Sequence, residues 1–136
     1  MGARSKARKR ALDLLYASEL RGEDPVRALD RAIAAGEGPT NEYTSFLVRG
    51  VAEHQQRIDQ LLAQYSQGWS LERMPAVDRN VLRIGMFEVL YVDDVPGAVA
   101  VSEAVALVRE LSTDDSPQFV NGILGSILRD QPSPEG

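Results

Sequence analysis

The side chains whose types and spacing could do chemistry stand at the start of the chain. Arg4, Lys6, Arg8, Lys9 and Arg10 fall within the first ten residues, with no acid among them. Cations this dense can track a phosphate backbone, and arginine adds a planar fork of donors. Tyr16 follows within the same helical pattern, on the side that carries Arg8 and Lys9. A cationic track beside a stacking aromatic is a common way to hold single-stranded RNA. Two plainer readings stay open on this ground: a solubilising terminus for the arm, and a core position for Tyr16.

Catalytic chemistry has little to work with. His54 is the sole histidine and lies on the apolar face of a long helical pattern, where a packed, hydrogen-bonded ring is expected. There is no cysteine, so disulfides, thiolate metal sites and a cysteine nucleophile are excluded. A metal would have to rely on carboxylates. The acid pairs Asp93-Asp94 and Asp114-Asp115 sit at helix junctions and read as caps and turn formers. Gly122 and Gly125 lie inside a helical pattern, so they form no phosphate loop between a strand and a helix. The expectation is a protein that is not an enzyme, with no cofactor, no metal and no small-molecule substrate.

Charge distribution sharpens this. The 136 residues carry a net charge of −5, from 15 basic and 20 acidic groups. Beyond the first ten residues the chain holds 10 basic and 20 acidic groups, or −10. Such a body repels phosphates, so contact with nucleic acid should be confined to the basic pole. No stretch reads as a signal peptide or membrane span, and a cytoplasmic protein is expected.

The elements that must position these residues are helices. Apolar spacing predicts a first helix over 5–20, with Ala11, Leu14, Leu15 and Ser18 on one face, widened by Leu12, Tyr16 and Leu20. Asp24-Pro25 predicts a capped second helix with Val26, Leu29, Ala32 and Ile33 inward. Thr40 or Asn41 should cap a long third helix that ends before Gly68. Ser70 should cap a single turn over 71–74, with Trp69 as a packing plug at the join. Residues 74–92 predict a central helix whose second half is apolar nearly all round, broken only by Glu88. Two more follow, over 98–111 and from Ser116-Pro117 onward, the latter bearing a small-residue strip at Gly122, Gly125 and Ser126 where another helix could approach. No strand-like alternation, repeat or linker interrupts the pattern. An all-α, single domain over 1–136 with about seven helical elements is expected, its basic arm at 1–10 and a disordered tail at 131–136.

Several segments resemble the NusB family of bacterial transcription antitermination factors. They are RKRALDLLY at 8–16, PAVDRNVLRI at 75–84, EVLYVDDVP at 88–96, SEAV at 102–105 and DDSPQFVNGIL at 114–124. The likeness spans nearly the whole chain and is weakest from Gly22 to Asn41. It implies two packed three-helix subdomains. It also implies an adaptor that pairs with the ribosomal protein NusE, binds the boxA element of nascent ribosomal RNA transcripts and, with other Nus factors, helps RNA polymerase resist Rho-dependent termination. By position, the resemblance assigns Arg4, Lys6, Arg8, Lys9 and Arg10 to the RNA-contacting arm. It assigns Tyr16, Asp115, Gln118 and Phe119 to the RNA-facing side, and Glu72 and Asp78 to the surface that meets NusE. Gln118 stands where relatives can carry a lysine, and Asp78 where some carry glutamate. Two other readings remain: a protein-interaction module without an RNA role, and a detached RNA-binding domain of a ribosomal RNA methyltransferase.

Overall fold

A computed structural model describes residues 2–136 and, among them, holds only helical regular structure: six α-helices and one short 3-10 turn. The expected seven elements are met only if that turn is counted. The chain divides into two compact units, residues 1–53 and 54–136, with the long third helix running across the division.

In the first unit, helix α1 (Ala3–Arg21) packs on α2 (Pro25–Ala34). The α1 stripe is Ala7, Arg8, Ala11, Leu12, Leu15 and Ser18. Leu20, expected to widen it, is 67% exposed. It lies two residues beyond Ser18, about 200° round the helix, and so faces away. Gly22 closes α1 in the left-handed conformation at φ +65°, where residues with a Cβ are strained. Asp24 caps α2 as expected, its Oδ1 accepting the Val26 N–H at 2.9 Å. Leu29 is fully buried, whereas Ile33 stays 47% exposed. Asn41, rather than Thr40, supplies a cap at the start of α3 (Glu42–Tyr65), its Oδ1 accepting the Tyr43 N–H at 2.8 Å.

In the second unit, α4 (Ala76–Tyr91), α5 (Gly97–Leu111) and α6 (Ser116–Asp130) pack on one another. The enclosed second half expected of α4 is present: Ile84 to Glu88 are all buried. The close helix approach occurs at Gly85, where a Cβ would stand 2.5 Å from Leu124 Cδ1 and 3.4 Å from the Ala104 Cβ. At Gly122 and Gly125 an added Cβ would meet nothing within 4 Å, so the expected small-residue strip is not a helix contact among the described residues. Asp59 of α3 holds α4 through a two-pronged ion pair with Arg83, Nε to Oδ1 at 2.9 Å and Nη2 to Oδ2 at 3.0 Å. The His54 ring lies half-buried and stacked on Tyr91, centroids 4.0 Å apart, a packing role as expected. The non-helical tail is tied at two points. Arg57 donates to the Ser133 carbonyl at 2.7 Å, and the Tyr91 hydroxyl donates to the Pro134 carbonyl at 2.6 Å.

Candidate nucleic-acid and partner interfaces

Because α1 begins at Ala3, the five arm cations are not an extended string but points around a helix. Helical geometry separates their roles. Arg8 continues the Leu12 and Leu15 stripe one turn toward the N-terminus and is only 3% exposed. Its guanidinium carbon lies 5.8 Å from the centre of the Tyr43 ring. Arg4 sits over the same ring at 4.3 Å, a cation–π distance. Arg8 is thus a packed residue, unlike its exposed neighbours on the arm. Lys9 is half-buried, while Lys6 and Arg10 are exposed. Lys6 and Arg10 are four residues apart on one face, and neither has a hydrogen-bonding or ion-pair partner among the described residues. Tyr16, half-buried two turns beyond Lys9, likewise makes no ring contact and no side-chain hydrogen bond there. Its ring edge and hydroxyl are therefore unclaimed.

The remaining assigned residues belong to the second unit, where Asp78, Asp115 and Phe119 line one cleft of about 300 Å³ with Trp69, Arg73 and Met74. Asp115 and Gln118 are exposed and Phe119 is half-buried. Trp69 is 57% exposed, not the expected plug, and meets Phe119 edge-on with centroids 6.3 Å apart. Its carbonyl is pinned by the Ser66 hydroxyl at 2.6 Å, which holds the indole at the rim of the cleft. Sequence reading missed Trp69 and Arg73 as surface groups. The available signal was their place in a short connection between helices, where few elements can cover a side chain.

Asp78 requires the largest correction. The resemblance places it on the surface that meets NusE, yet it is 2% exposed in the first turn of α4. Its Oδ1 accepts from the Ser112 hydroxyl at 2.6 Å and its Oδ2 from the Ser116 hydroxyl at 2.8 Å. The carboxylate thus fastens α4 to the junction between α5 and α6. Ser116 precedes Pro117 as a cap would, but it occupies the first helical position and spends its hydroxyl on Asp78. The expected Ser70 cap is also absent, because Ser70 makes no capping side-chain hydrogen bond. The turn Leu71–Arg73 is held instead by Arg79, whose Nη1 donates to the Leu71 carbonyl at 2.7 Å and the Met74 carbonyl at 3.1 Å. Burial of that guanidinium, with the nearby charge of Arg83, lowers its pKa from the ordinary arginine value. Glu72, on the held turn, is exposed and without a side-chain partner among the described residues.

No group of three or more potential metal ligands occurs among the described residues. None of their helices is long and apolar enough to cross a membrane. What the geometry offers is a cationic helix face in one unit, and in the other an aromatic-rimmed cleft beside an exposed turn that carries Glu72 and Arg73.

Comparison with known proteins gives consistent matches. The sequence model of the NusB family matches residues 5–129. A transcription antitermination protein NusB from Nocardioides sp. is 76% identical over 133 residues, covering 98% of each chain. The NusB structure from T. maritima superposes with a TM-score of 0.83 at 32% identity, covering 96% of this chain and 93% of that one. A chain in a crystal structure of the antitermination factors NusB and NusE in complex with dsRNA superposes with a TM-score of 0.79 at 28% identity, covering 93% of this chain and 96% of that one.

Proposed function

The chain belongs to the NusB family, and we propose that it acts as an RNA-binding antitermination adaptor rather than an enzyme. In this reading it joins the ribosomal protein NusE on boxA of nascent ribosomal RNA transcripts in the cytoplasm, and with other Nus factors helps RNA polymerase pass Rho-dependent terminators. The observation that carries the reading is the match over 93% of the chain to a structure holding NusB, NusE and dsRNA. The physical chemistry of the chain supports it. Lys6 and Arg10 on α1, without partners among the described residues, supply the long-range attraction, and an otherwise acidic body makes that pole the chief phosphate contact. The half-exposed Tyr16 offers a ring for stacking. Phe119, Asp115 and Gln118 form a second candidate RNA contact, with Trp69 beside them. Glu72, on the turn that Arg79 holds, is the candidate contact for NusE, while Asp78 fastens α4 to the junction between α5 and α6. Relatives matched over nearly their whole length carry the antitermination name, which favours this reading over a methyltransferase fragment.

The test is titration of a boxA RNA at several potassium concentrations, with and without NusE. With Arg8 packed, two to four cations remain to meet phosphates. At about 0.7 per phosphate on single strands, log K for the protein alone should fall by roughly 1.4 to 2.8 per decade of salt. NusE should raise both affinity and slope. No binding in either arm of the experiment would remove the RNA role.

A further inference from the structure

Beside the cationic face of α1 lies a cleft of about 410 Å³, whose far wall is the connection between α2 and α3. Lys6 and Arg10 line one side, Pro39, Thr40 and Asn41 the other. We propose that this cleft is a phosphate-binding subsite for the RNA backbone, with Lys6 and Arg10 as its cations, Thr40 as its hydroxyl donor and Asn41 as a positioning residue. The inference rests on the RNA-binding reading and adds to it residues outside the basic arm.

Three observations point the same way. First, the lining contains two cations and no carboxylate, in a chain that is acidic beyond its first ten residues. Second, Lys6 and Arg10 are the two arm cations that the fold leaves without a partner among the described residues. Arg8 and Arg4 are instead drawn to Tyr43. One turn of helix separates Lys6 from Arg10, so both side chains can reach a single phosphate group or two successive ones.

Third, the two walls are fixed to each other by side-chain bonds that cross the cleft's floor. The Asn41 amide donates to the Ala3 carbonyl at 3.3 Å while its oxygen caps Tyr43. The buried Thr44 hydroxyl donates to the Ala7 carbonyl at 3.0 Å. Gly38 anchors the outer end of the wall, since a Cβ there would stand 2.7 Å from Ile33 Cγ1. A loop held this way presents Thr40 to an anion with little ordering left to do on binding. Thr40 itself is exposed and without a side-chain partner among the described residues. Backbone contacts of this kind set register on RNA without reading sequence.

The test places charge in the cleft and reads both affinity and salt slope, using the full chain and a labelled single-stranded boxA RNA. Thr40→Asp should weaken binding by roughly three- to tenfold near 0.1 M salt, since a like charge a few ångströms from a phosphate is only partly screened. Gln64→Glu, which adds the same charge at an exposed site outside the cleft, should stay within twofold of the parent. Lys6→Gln with Arg10→Gln should flatten the salt slope by about 1.4, or 0.7 per lost phosphate contact. Thr40→Lys should instead tighten binding and steepen the slope by about 0.7, a gain that a poorly folded variant cannot produce. Thr40→Asp and Thr40→Lys both within twofold of the parent, or a double variant with unchanged slope, would overturn the subsite while leaving RNA binding intact. Absence of RNA binding by the parent protein would overturn the underlying reading and the subsite together.

Discussion

The carboxylate of Asp78 and the hydroxyl of Ser116 meet at 2.8 Å with both residues almost fully enclosed. The Asp78 side chain therefore faces inward, to the start of α6, at a position where the family resemblance would place a partner contact. Ser112 completes the arrangement at 2.6 Å, and Ser116 is also within 2.8 Å of the Thr113 hydroxyl. A charge-assisted network of this kind orders the junction that carries Asp115 and the first turn of α6, from which Phe119 projects.

Asp78→Ala should cost stability before it costs partner binding. It removes the carboxylate that accepts from the buried Ser116 hydroxyl and the half-buried Ser112 hydroxyl, at about 1–3 kcal/mol. Asp78→Lys should cost more, because an unpaired cation would occupy the same enclosed site. Urea unfolding checks this; a midpoint unchanged in both variants would place the carboxylate outside the folding energetics.

Glu72→Lys should behave in the opposite way. Glu72 is exposed on the turn that Arg79 holds, so stability should change by no more than about 0.5 kcal/mol. NusE recovery in a pull-down should fall, since reversing a charge within a proposed contact surface disrupts electrostatic complementarity there. Full recovery of NusE by the variant moves the partner surface elsewhere.

Arg8 and Arg10 should separate in a paired comparison. Arg8→Ala removes a side chain that is 3% exposed and should lower stability by about 1–2 kcal/mol through lost packing and lost contact with Tyr43. Arg10→Ala should leave stability within about 0.5 kcal/mol and weaken RNA binding. Thermal melts alongside RNA titrations distinguish them, and equal melts for both variants would return Arg8 to the surface.

Alkaline titration should release the C-terminal tail. Burial is the main cause raising the Tyr91 pKa above 10.0, and its hydroxyl donates to the Pro134 carbonyl at 2.6 Å. A raised value means that the stability from this bond is fully present below about pH 10 and is lost as pH rises through the shifted value. Amide exchange near residues 131–136 should therefore accelerate late, above the ordinary tyrosine range. Tyr91→Phe should show fast exchange at neutral pH and lose about 0.5–1.5 kcal/mol. Parent-like exchange in that variant would mean that the Arg57 contact alone holds the tail.

Local chemistry in the sequence was enough to fix the helices. The Asp24-Pro25 cap, the Asn41 cap and the stop at Gly22 depend on neighbours only a few residues away, and α4 carries its enclosure in its own composition. The charge separation and the cations at 4–10 were equally legible, as was the family pattern from 75 to 124. Which of those polar groups face outward was not. Arg8 differs from Arg10 only by its angle on α1, and that angle means burial once Tyr43 and the α1 stripe have found their neighbours. Asp78 reads as a surface charge because the hydroxyls that donate to it, on Ser112 and Ser116, lie 34 and 38 residues away. Trp69 reads as core from its size, yet its short connection provides nothing to enclose it. In sequence Thr40 reads only as a candidate helix cap, because its place on a cleft wall exists only once Asn41 and Thr44 tie that segment to the first turns of α1. Helix formation is decided by residues within a turn or two of each other, whereas the exposure of a charge is decided by whichever distant segment packs beside it.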